Sequence, residues 1–71
     1  MFSADIWNRG RRIAQNVWLA NLGIHTQLEM CKYACEEFNL KGAKARKFFS
    51  MVFDMVRSIT EADDIDAVSE H

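Results

Sequence analysis

The chain has 71 residues, 49% hydrophobic and 27% charged, with two cysteines, no proline and a formal net charge of −1. This length allows one domain with a thin core, and the composition excludes both a disordered polymer and a disulfide-built mini-protein. The near-neutral total hides a polarity, since Met1 to Lys47 holds eight Lys/Arg against four Asp/Glu while Phe48 to His71 holds one against six, a basic front and an acidic tail.

Ser3 is placed to cap a first helix, with Asp5 in its first turn. Ile6, Ile13, Val17 and Ala20 then recur at helical spacing, which predicts a helix over 4–22. Gly10 reads as a weak point inside it. Gly23 reads as a left-handed helix end, with Ile24 and Leu19 as the apolar pair of a Schellman turn.

Thr26-Gln27-Leu28-Glu29 has the form of a capping box, so a second helix is predicted over 26–39. It carries Leu28, Cys31, Cys35 and Phe38 on one face, and the Asn39-Leu40-Lys41-Gly42 stretch ends it. The third segment predicts a helix over 43–60, in which Phe48, Phe49, Val52, Phe53, Met55, Val56 and Ile59 make an apolar arc too wide for one neighbour. Thr60 and Asp63 are candidate caps for a last short helix bearing Ala62, Ile65 and Val68, the alternative being a frayed acidic tail.

The expected fold is therefore all-α, a short helical bundle or helical hairpin over residues 1–60, followed by an acidic segment over 61–71. A competing reading runs one helix from Ala4 to Asn39 straight through Gly23, about 54 Å long. Either arrangement leaves apolar surface uncovered in so short a chain, so a homo-oligomer is expected. No basic leader precedes an apolar stretch, and charges break every apolar run before twenty residues, so neither a signal peptide nor a transmembrane segment is expected. A cytoplasmic location follows as the expectation.

Chemistry-bearing groups are few. His25, Cys31, Cys35 and His71 are the soft metal ligands available, but His25 lies six residues before Cys31, about 240° round a continuous helix, so no metal and no other cofactor is expected. Cys31 and Cys35 read as reduced core thiols, which argues against nucleophilic catalysis and against an enzyme. Asp63-Asp64-Ile65-Asp66 lacks the glycine and distal glutamate of a calcium loop.

The main polar signal is a basic set, Arg9, Arg11 and Arg12 with Lys41, Lys44, Arg46 and Lys47, the second group entering a helix as in a helix-turn-helix. Beyond that first turn the third helix offers Ser50, Asp54 and Arg57 outward, a poor set for reading base edges, so nucleic acid ranks below other partners. The apolar set is larger: Trp7, Trp18, Leu19 and Leu22 on the first helix, and Phe48, Phe49, Val52 and Phe53 on the third. These eight are the expected apolar surface or oligomer face.

Arg12-Ile13-Ala14-Gln15-Asn16-Val17-Trp18-Leu19-Ala20-Asn21-Leu22-Gly23 resembles the opening of the poly(hydroxyalkanoate) granule-associated phasins, which carry an alkyl residue, then Trp-Leu-Ala, one residue, and Leu-Gly. Lys41-Gly42-Ala43-Lys44 before Phe48-Phe49 and Val52 is similar to their glycine-lysine stretch before a Phe-rich helix. The likeness spans roughly Arg9 to Val56, with Ile24-His25 and a cysteine-bearing turn standing where the phasin pattern is shorter. It implies a non-enzymatic helical protein that coats a hydrophobic polyester granule in the bacterial cytoplasm and self-associates. In that arrangement Trp18, Leu19 and Leu22 would meet the polymer, while Arg11, Arg12 and Gln15 face water. The alternatives read from the residues are a helical oligomeric adaptor and a small nucleic-acid-binding protein.

Overall fold

A computed structural model describes residues 2–69, with side chains described as far as Glu61. The chain is all-α, with α1 over Ala4–Leu19, α2 over Ile24–Glu37 and α3 over Ala43–Ser69. Met1, Glu70 and His71 lie outside the described residues, as do the side chains of Ala62, Asp63, Asp64, Ile65, Asp66 and Val68, on which the short-helix, calcium-loop and His71 readings rested.

The start of α1 is as the sequence suggests: the Ser3 hydroxyl accepts from the Ile6 N–H at 3.4 Å, and Asp5 sits in the positive first turn. Its end comes sooner than expected. The Leu22 N–H donates to the Val17 carbonyl at 3.0 Å and the Asn21 N–H to the Trp18 carbonyl at 3.4 Å, the bond pair of a Schellman turn. Asn21, with φ +52°, holds the left-handed position assigned to Gly23 by the sequence reading, and Leu22 is the residue folded back onto the core. Gly23, with φ −73° and ψ 169°, is the N-cap of α2, so the continuous 4–39 helix does not form.

Helix α2 closes in the same way. Leu40 N–H donates to the Cys35 carbonyl at 2.8 Å, Asn39 N–H to the Glu36 carbonyl at 3.2 Å, and Asn39 takes φ +57°. Because α2 begins at Ile24, Thr26 lies inside its first turn and the expected capping box is absent. Gly42, at φ +62°, is the position where the backbone does require glycine, and its carbonyl accepts the Arg46 N–H that opens α3.

Thr60 does not begin a new helix. Its hydroxyl donates to the Val56 carbonyl at 3.0 Å, one turn back, and α3 runs unbroken past the expected end at 60 to Ser69. At 1.5 Å per residue α3 is about 40 Å long against about 24 Å for α1.

Phe2 packs edge-on to Phe48 at 6.1 Å, and Gly10 lies against Phe48, Met51 and Val52. Low numbers on α1 thus meet low numbers on α3, so the two helices run in the same direction. Arg9 near the start of α1 pairs with Glu37 at the end of α2, so α2 runs antiparallel to both. The result is an up-down-up arrangement extending 46 × 25 × 17 Å, in which α3 is the longest helix.

The core is small: Ile13, Ala14 and Val17 of α1, Cys31, Ala34 and Cys35 of α2, Leu40, and Phe48 and Val52 of α3. Phe48 and Val52 are completely enclosed. They were expected on the apolar surface, and the packing of α1 over α3 through Gly10 removes them from it.

Candidate functional site

With Phe48 and Val52 in the core, the remaining expected surface residues divide by environment. Leu22 and Phe49 are partly buried against the core, Phe53 is half-buried, and Trp7, Trp18 and Leu19 are exposed. Three exposed apolar residues were absent from the expected set: Ile24, Leu28 and Tyr33. Leu28, expected as a core position beside the cysteines, is 37% exposed because the buried face of α2 is centred on Gln27, Cys31, Ala34 and Cys35, to one side of it.

Four of these residues flank the α1–α2 turn in sequence. Trp18 and Leu19 end α1 with 38% and 73% of their surface exposed, and Ile24 and Leu28 open α2 with 51% and 37%. Ile24 and Leu28 lie one turn apart and share a face. The Schellman turn explains the division within Trp18-Leu19-Ala20-Asn21-Leu22-Gly23: the reversal at Asn21 draws Leu22 inward and leaves Trp18 and Leu19 outside.

A second apolar region lies between α1 and α3, where Trp7, Arg11, Ala14 and Gln15 face Met51, Met55 and Ile59 across an open groove of about 780 Å³. Arg11 reaches back one turn to sit 5.8 Å from the Trp7 ring, a cation–π contact that holds the indole against the groove rim. Trp18 follows Trp7 by eleven residues, three turns, so both indoles project from one side of α1. On the far side of α3, Ala45, Phe49 and Phe53 line another open groove, of about 490 Å³, that shares Arg46 and Ser50 with the first.

The basic residues do not form one patch. Arg9 is committed to Glu37 and lies 5.5 Å over the Phe38 ring, and Arg12 borders the same α1–α2 cleft. Arg11, Arg46 and Lys47 border the α1–α3 groove, Lys44 and Lys47 flank Phe2 and Ile6, and Lys41 sits apart beside Cys35 and Asn39. Positive charge therefore faces three directions rather than tracking a phosphate backbone.

The two thiols are free and buried. Burial, with a further push from the neighbouring Cys35, raises Cys31 from 9.0 to about 11, and burial also raises Cys35. Both are held protonated, the opposite of an activated nucleophile. Among the described residues no three His, Cys, Asp or Glu side chains converge as metal ligands, and no helix is long and apolar enough to cross a membrane. Gln27 is a buried polar group that local spacing does not reveal: it is 5% exposed, and among the described residues its Nε2 has no hydrogen-bond partner. No protein-family model, curated protein or solved structure matches the chain.

Proposed function

We propose that this chain is a non-catalytic helical protein that binds a hydrophobic surface, as the phasin resemblance implies, and that it does so through its α1–α2 corner. The observation carrying this reading is that Trp18, Leu19, Ile24 and Leu28 remain exposed after the chain has folded. Full burial of a fully exposed side chain of this kind is worth about 1.5–3 kcal/mol, and each of these four, already partly covered, adds the part of that set by the surface it still exposes. Leu22, expected to join them, instead supports the turn that presents them. The protonated, enclosed thiols favour a non-catalytic role, and the dispersal of the basic residues favours apolar over nucleic-acid binding.

The test is partitioning of the intact chain onto particles of an apolar polyester, compared with a Leu19→Gln/Ile24→Gln variant. Both residues are exposed, so helicity by circular dichroism should be retained. Affinity should fall at least tenfold. Tyr33→Gln, which alters an exposed residue about 140° round α2 from Leu28, should bind like the unmodified chain. Binding should also persist in 1 M salt, where charge attraction is screened within about 3 Å. Equal partitioning of the corner variant and the parent would refute the proposal.

A further inference from the structure

The outer face of α3 plays no part in the surface binding proposed above, and it has a pattern of its own. Arg46, Ser50 and Asp54 follow one another at steps of four, so they form a single ridge along the helix. The ridge separates the two open grooves: Met51 and Met55 lie on its α1 side, Phe49 and Phe53 on the other. Arg46 and Asp54 are about 12 Å apart along the axis, too far to pair with one another. Neither makes an ion pair among the described residues, where the one such pair is Arg9–Glu37.

A ridge that is positive at one end, small in the middle and negative at the other complements itself when reversed. We infer that α3 is a homodimer interface, in which a second copy's α3 crosses antiparallel about a two-fold axis near Ser50. Each Arg46 then meets the Asp54 of the other copy, Ser50 permits close approach, and each ridge is flanked by the other's apolar grooves. The same arrangement accounts for the excess breadth of the apolar arc on this helix.

Mass in solution, by sedimentation or light scattering across concentration, tests the pairing. The intact chain should associate to a dimer, and Arg46→Asp or Asp54→Arg alone should weaken association at least tenfold by setting like charges opposite each other. The double exchange Arg46→Asp/Asp54→Arg should return to within about threefold of the parent, which loss of folding or of general surface charge would not produce. Ser50→Cys should form a covalent dimer under mild oxidation, because Cys31 and Cys35 are buried and do not compete. The interface is wrong if the intact chain stays at 8.2 kDa at high concentration, or if the single exchanges leave the dimer untouched. Because the corner residues are unchanged in these variants, surface binding stands or falls separately.

Discussion

A β-carbon on Gly10 would lie 2.6 Å from the Met51 methyl and 3.4 Å from Val52, so this glycine sets the separation of α1 and α3. Alanine there gains up to about 1 kcal/mol of helix propensity but must displace the end of a flexible side chain, at a cost of the same order. Gly10→Ala should therefore stay within about 0.5 kcal/mol of the parent in urea unfolding. Gly10→Leu should lose about 1–3 kcal/mol through overpacking, whereas both would stabilise an exposed helix. Cys31 acts on stability through its proton. A thiol whose pKa is higher folded than unfolded favours folding while protonated, so its contribution is complete below about pH 9 and declines as pH rises towards 11. The stability difference between the parent and Cys31→Ala should accordingly shrink between those values. Urea midpoints at pH 8 and pH 10.5 would reveal it, and a difference that grew with pH would contradict the buried, protonated state.

Helix ends supply the clearest test at the level of elements. Gly23 caps α2 with ordinary extended angles, provides no side-chain acceptor and has open space where a β-carbon would go, and α2 has no acid in its first turn. Gly23→Asp should stabilise the chain by about 0.5–1 kcal/mol through a cap bond, the helix dipole and a stiffer unfolded chain. A loss of stability in thermal unfolding would instead restore glycine to the left-handed position. The three helices were legible because apolar residues repeat at a helical period in each, and Ser3 announced the first. The Asn39-Leu40-Lys41-Gly42 turn was legible, but the first turn was misplaced onto Gly23 because asparagine also tolerates the left-handed conformation: at 21, as at 39, it takes that position, and each following leucine folds onto the core. Thr26 and Thr60 fit local capping patterns, but α2 already begins at Ile24 and α3 passes through residue 60. Which apolar residues stay exposed depends on how the helices meet, which no local pattern encodes. Phe48 and Val52 are enclosed because Gly10 admits them, while Leu28 lies to one side of the face that Gln27, Cys31, Ala34 and Cys35 bury on α2.

Across the described residues, a thin core of nine apolar side chains is surrounded by further apolar side chains that remain exposed or half-buried. That surface is divided between the α1–α2 corner, assigned to an apolar surface, and the outer face of α3, assigned to a second copy. The division allows a dimer to present two corners, a bivalent arrangement that strengthens surface attachment without new contacts if both corners reach the same surface. The most direct measurement is the emission of Trp18 alone, in a Trp7→Phe chain titrated with polyester particles in 1 M salt. A blue shift that saturates with particle surface, and is lost in the Leu19→Gln/Ile24→Gln background, is the predicted result. Emission that stays at the wavelength of a hydrated indole throughout the titration would contradict burial of the corner against an apolar surface.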